Sequence, residues 1–188
     1  MSYLQNLKQK REEGGFTLVE TLIAIAVLSL AVTGPMTIAQ KSIASAMYAR
    51  DQVMASYLAQ DAIEYVRNVR DTNRLTTGVS WLNKLDECVT QDCVINSNIS
   101  IWDGSNWQDA IWPANASNER MYFDKADYIY NHQNGVNSAV TQFTRRVRVT
   151  EVVPNREADV TATVSWKPNA FSVMKTFVAT ERLFNFKP

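Results

Sequence analysis

Between Phe16 and Ala39 the chain carries one formal charge, the carboxylate of Glu20, in a run otherwise made of apolar residues, hydroxyls, glycine and proline. An ionised carboxylate inside a membrane-spanning helix costs roughly 2.5–3.5 kcal/mol on insertion scales, so it calls for compensation. Glu20 is therefore a candidate functional residue on physical grounds alone. A second group is the cysteine pair Cys88 and Cys93, which encloses Val-Thr-Gln-Asp. Outside the cytoplasm so close a pair reads as a disulfide, one that fixes local shape more than global stability. It does not read as zinc, because C-x4-C has no second pair here and His132, the only histidine, stands outside any recognisable constellation and is expected at the surface. A third group is Trp102, Trp107 and Trp112, five apart among Asp103, Asn106, Asp109 and Asn115. Tryptophan faces can stack on sugar rings while amides read hydroxyls; the plainer reading is that they fill a hairpin core or a subunit interface. No phosphate-binding glycine loop, nucleophile elbow, H-E-x-x-H pair or calcium loop is present, so we expect a non-enzyme with no cofactor and no metal.

Glu20 belongs to the run Gly14–Gln40, preceded by a head that carries Lys8, Lys10, Arg11, Glu12 and Glu13. Roughly 20 apolar residues cross a bilayer core of about 30 Å, so the run suffices for one span. A secretory signal peptide has an apolar stretch of only about 7–15 residues, closed by small residues at its far end. Here the small residues stand before the run, so cleavage at them leaves the helix on the mature chain. The basic head is expected to hold that end in the cytoplasm, with the remainder exported.

The segment Gly15-Phe16-Thr17-Leu18-Val19-Glu20 resembles the signal of type IV prepilins and of the related pseudopilins of type II secretion. The resemblance implies that a membrane peptidase cuts between Gly15 and Phe16 and methylates the new amino group of Phe16. It also implies that Glu20 of one subunit pairs with that amine on a neighbour during assembly, which neutralises charge in low dielectric and sets the stagger between subunits. The plainer alternative for Glu20 is a carboxylate reaching the cytoplasmic interface. Implied partners are other pilin subunits, the prepilin peptidase, an inner-membrane assembly platform and lipid before assembly. The implied location is the cytoplasmic (inner) membrane, and after assembly a surface pilus or periplasmic pseudopilus.

The apolar run continues without a polar linker into an amphipathic stretch in which Ile43, Met47, Met54, Leu58, Tyr65 and Val69 recur at helical spacing, with Ala55 and Ala62 alongside. Lys41, Arg50, Gln52, Gln60, Glu64 and Arg67 occupy the other faces. One helix from about Phe16 to about Asp71, roughly 80 Å long, is expected. Gly34-Pro35 should kink or locally melt it, because proline removes a backbone donor and crowds the preceding turn; a mild bend without a role is the alternative.

Beyond Gly78 the pattern turns to β. Trp81, Leu82 and Leu85 suggest a short helix before the cysteine loop. Val94-Ile95, Ile99–Trp102, Tyr122-Phe123 and Tyr128–Tyr130 suggest short strands, with turns at Asp103–Asn106 and Asn134-Gly135. Three clearer strands follow. Phe143, Val147, Val149 and Val153 share one face of the first; Ala158, Val160, Ala162, Val164 and Trp166 alternate strictly in the second. Phe177, Ala179 and Leu183 share a side of the third, Ser172 to Phe184. An antiparallel sheet with one apolar face needs a cover, and the amphipathic half of the helix is available. The expected fold is α+β and pilin-like: leader 1–15, membrane and assembly half-helix 16–40, amphipathic half-helix 41–75, and an exported β-rich domain 76–188.

The 188 residues carry 19 basic and 19 acidic side chains, and loss of the head leaves the mature chain near −1. No basic excess points to nucleic acid; Arg145, Arg146 and Arg148 could touch phosphates, but Arg145 is directed opposite to its neighbours, and an exposed strand face is the plainer reading. The region Ala49-Arg50-Asp51-Gln52 and Leu58–Glu64 further resembles minor pilins of the pilus modification type, which prime assembly or occupy the filament tip. Three readings stand: a minor pilin of a type IV pilus, a minor pseudopilin of type II secretion, and a non-polymerising anchored protein that binds glycans or surfaces. Glu20 argues against the third, since a mere anchor has no need of it.

Overall fold

The structure, a computed structural model, describes residues 14–99, 110–168 and 173–186. The chain forms two compact units, Met1–Ala46 and Met47–Pro188, and one helix, α1 (Leu18–Leu75), contributes to both.

In the first unit every described side chain is exposed, and the apolar residues surround the helix. Such a surface suits lipid, and α1 is long and apolar enough to cross a membrane. Four of its hydroxyls bond within the helix. Thr21, Ser29, Thr33 and Thr37 donate to the carbonyls of Leu18 (2.8 Å), Ile25 (2.7 Å), Ser29 (2.6 Å) and Gly34 (2.8 Å). The helix runs through Gly34 and Pro35, so local melting at this pair is not the conformation found. Proline leaves the Ala31 carbonyl without its usual helical donor, but the turns on either side keep theirs, and the element survives the single lost bond.

In the second unit the strict alternation of residues 157–166 produces the central strand of a hairpin pair. The elements after α1 are α2 (Asp86–Thr90), β1 (Cys93–Ile95), β2 (Ile111–Pro113), β3 (Arg120–Asp124), β4 (Ile129–Asn131), β5 (Ser138–Val153), β6 (Glu157–Trp166) and β7 (Lys175–Phe184). All pairings are antiparallel, β7–β6–β5 in sequence. The far edge of β5 is shared. Its first half pairs β3, which carries β4, and Val147 farther along faces Cys93 of β1, which carries β2. Alternation places Val147, Val149, Val160, Val164 and Leu183 in one core with Ala55, Leu58, Ala59, Ala62, Val66 and Val69 of α1. Burying a side chain the size of valine or leucine is worth roughly 1.5–3 kcal/mol, which makes this contact set the main reason the sheet needs the helix.

Four expectations are corrected. Ile43 and Met47 are 62% and 53% exposed, and burial on α1 begins only at Asp51. Val153 is exposed rather than internal, because the β5–β6 register shifts between Glu151 and Val153 and turns the strand end outward. Trp81, Leu82 and Leu85 are core residues in turns, and the short helix starts after them at Asp86. Asn73 Nδ2 donates to the carbonyls of Trp81 (3.2 Å) and Asn83 (2.8 Å), which pins that stretch to the end of α1 instead of to its own helix. His132, in no recognisable constellation and therefore expected at the surface, is only 8% exposed, behind β4. The Ile99–Trp102 strand and the Asp103–Asn106 turn fall largely or wholly outside the described residues.

Candidate functional site

The amino-terminal site is built by a helix start. Residues 14–17 are non-helical and exposed, and Gly14 and Gly15 meet no atom within 4 Å of where a side chain would begin. Among the described residues nothing crowds the Gly15 end of the Gly15–Phe16 peptide, and Phe16 is 75% exposed. Helix α1 begins at Leu18 because Thr17 caps it: Thr17 Oγ1 accepts from the Glu20 backbone N–H at 3.2 Å, and the Thr17 carbonyl accepts from Thr21 N at 3.1 Å. Thr17-Leu18-Val19-Glu20 has the S/T-x-x-E form of a helix start, and the Glu20 carboxylate sits in the first turn, where the helix dipole favours negative charge. One local arrangement therefore holds an accessible peptide bond, a threonine cap and an acidic residue in order.

The second site was not visible as such in the sequence. Arg145, on the core face of β5, is wholly buried. Its Nη1 donates to Leu58 O (2.9 Å) and Asp61 Oδ2 (2.7 Å), and its Nη2 donates to Ile95 O (2.7 Å). Asp61 Oδ2 also accepts from Ser97 Oγ at 2.6 Å. One guanidinium thus joins α1, β1 and β5. Burial pushes its pKa down and the Asp61 carboxylate opposes that shift. The side chain remains cationic, as guanidinium does in proteins. The available signal was positional: 145 shares strand parity with Phe143 and Val147, the buried face.

Arg145 is accordingly no phosphate contact, and Arg146 and Arg148 are occupied by Asp92 (3.4 and 3.9 Å) and, for Arg146, Glu119 (3.7 Å). His132 has no surface role either: Nδ1 lies 2.8 Å from the Asn118 carbonyl, and Nε2 is buried with no hydrogen-bond partner among the described residues. Burial, and then the nearby Arg145 charge, lower its pKa to about 4. Cys88 and Cys93 form the disulfide, both sulfurs in the core between α2 and β1. Of the tryptophan group, Trp112 is a half-buried residue of β2 opposite Val94, while Trp102 and Trp107 lie outside the described residues. Among the described residues no group of His, Cys, Asp and Glu has the makings of a metal site.

Residues 10–34 match the family model of the prokaryotic N-terminal methylation motif. The match covers the capped helix start described above and is the hallmark of type IV prepilins and pseudopilins. No curated protein and no solved structure matches the chain. The chain thus carries the signal typical of type IV prepilins and pseudopilins, joined to a helix-on-sheet α+β fold of pilin-like arrangement.

Proposed function

We propose that this chain is a non-enzymatic structural subunit, a minor pilin of a type IV pilus. In this reading prepilin peptidase cuts between Gly15 and Phe16 and methylates Phe16. The exported domain begins beyond the membrane, and the subunit enters a filament of other pilins through α1, priming assembly or standing at the tip. The observation that carries the reading is the combination in the first turn of α1: an open Gly15–Phe16 bond, the Thr17 cap and Glu20, followed by a half-helix, up to about residue 40, that is apolar on every side. A simple anchor needs the last of these and none of the others. Glu20 pairs with the Phe16 amine of a neighbour, because two opposite charges in lipid are tolerated together and costly apart.

A second reading, a minor pseudopilin of a type II secretion system, rests on the same residues. It differs in what the filament does rather than in how this chain is built. Processing is tested by intact mass and amino-terminal sequencing of membrane-extracted protein, with and without the peptidase. A chain that starts at N-methylated Phe16 only when the peptidase is present is the expected result. A chain that starts at Met1, or beyond the apolar run, would overturn the assembly reading. Co-purification with an extracellular pilus, against retention in a periplasmic fraction, separates the two filament readings.

A further inference from the structure

Asp51 presents an electrostatic anomaly. It lies on α1 in the second unit with only 6% of its side chain exposed, yet its ion-pair partner, Arg50, is the next residue along and is 72% exposed. The contact is a single hydrogen bond of 3.3 Å from Nη2 to Oδ1. Buried carboxylates are rarely kept without a cation that shares their burial, since desolvation outweighs a solvent-facing partner. Arg145 shows how a buried charge is otherwise held in this fold, with three bonds, two of them to buried backbone carbonyls.

Asp51 also lines a cleft of about 370 Å³. Among the described residues its walls include Arg50, Met54, Tyr130, Gln142 and Phe143, so the Asp51 carboxylate is bordered by two aromatic rings and a thioether. Tyr130 feels both charges: its pKa is raised by burial first, with Arg50 lowering it and Asp51 raising it. A carboxylate bordered by aromatic side chains is the chemistry that receives an ammonium, by charge first and by the ring quadrupole where a face is reached. The chain already makes one such contact beside this helix, where Lys175 Nζ stands 5.8 Å from the centroid of Tyr48. The cleft is far larger than an ammonium head needs, and Met54 and Phe143 offer apolar surface for a methylene stem.

We propose that the Asp51 cleft binds a primary ammonium carried on an aliphatic stem, the chemistry of a lysine side chain presented by a partner, and that Arg50 is a displaceable lid cation. Binding exchanges the exposed guanidinium for an ammonium that shares the burial of the carboxylate. The site does not depend on the assembly reading, and none of its residues lies in the amino-terminal signal.

The test is calorimetric titration of the full chain in detergent with Nα-acetyl-lysine methylamide, against the same compound acetylated on Nε. The lysine compound should bind and its acetylated form should bind at least about tenfold more weakly, as loss of one charge-assisted contact implies. Asp51→Asn should weaken binding to a similar extent, while Arg50→Gln should strengthen it several-fold by uncovering the acid. Thermal melts of both variants show whether they are folded, and because their predicted effects have opposite signs, general destabilisation cannot imitate the pattern. Equal binding of the acetylated compound, unchanged binding to Asp51→Asn, or loss of binding in Arg50→Gln would each overturn the proposal, as would no heat for any of them.

Discussion

Arg145 Nη1 on β5 lies 2.7 Å from Asp61 Oδ2 on α1, across 84 residues of chain. The two ends of this pair differ in setting: the arginine side chain is 0% exposed and the aspartate 47%. That difference decides what each substitution should do.

Asp61→Asn leaves a buried cation with only neutral acceptors, whereas Arg145→Met leaves a carboxylate that water can reach. Breaking a buried pair from the side that strands the charge costs about 3–5 kcal/mol, and exposure of the remaining partner reduces that penalty. We predict Asp61→Asn to cost about 3 kcal/mol and Arg145→Met about half as much, the latter from the lost Ile95 carbonyl bond. Urea unfolding of the full chain in detergent, followed by near-UV circular dichroism, measures both. The opposite ranking would show that the cation is held by the backbone carbonyls rather than by Asp61.

Glu20→Ala should leave cleavage and methylation intact and impair entry into filaments, because the Gly15–Phe16 bond is open without help from the carboxylate. Mass spectrometry reads the first, and the share of the variant in sheared filaments against the membrane reads the second. Normal incorporation of Glu20→Ala would remove the pairing from the mechanism.

His132 gives a pH signature with a defined sign. Its pKa is lowered in the fold to about 4 from 6.5, so below pH 6.5 the unfolded chain takes up a proton that the folded chain refuses. The contribution of the neutral ring is complete above pH 6.5 and is lost as pH falls toward 4, on the order of 3 kcal/mol in all. His132→Gln should flatten that part of the stability–pH curve, measured by thermal melts from pH 7 to 4. An unchanged slope would assign the acid sensitivity to carboxylates instead.

The disulfide closes a short loop, Cys88 to Cys93, and the chain-entropy account gives about 2 kcal/mol for a ring of this size. A Cys88→Ala/Cys93→Ala double variant should therefore still fold, with a lowered Tm. Both cysteines are 0% exposed, so reductant should act on the native protein only through unfolding. Fast thiol release from the folded chain would contradict this burial.

The sheet was legible where one face is apolar and the other polar. Ala158 to Trp166 announces its strand because every second residue had to be internal, and β5 and β7 follow the same rule. The limits are equally physical. Arg145 obeys the parity of the buried face, but a charge at such a position is placed inside only when its partners are known. Those partners, Leu58, Asp61 and Ile95, are scattered along the chain. The short β1–β2 pair has strands too brief for periodicity to speak, and Ile43 and Met47 have helical spacing without a sheet to meet. The amino-terminal signal was readable because its order is local: glycine, phenylalanine, cap and acid are consecutive or one turn apart.

The position of the helix start bears on what processing does to the subunit. Because α1 begins at Leu18, cutting after Gly15 creates a free amino group at the threshold of the helix. That end already carries partial positive charge from its unpaired N–H groups, so the new cation is placed where the helix field repels it. N-methylation would not relieve this, since a methylated amine is still protonated. In the proposed maturation the cut subunit would hold unfavourable electrostatic energy at its helix start, which a carboxylate brought close by a neighbour would lower further than its own Glu20 does alone, so cutting would prime the chain for company.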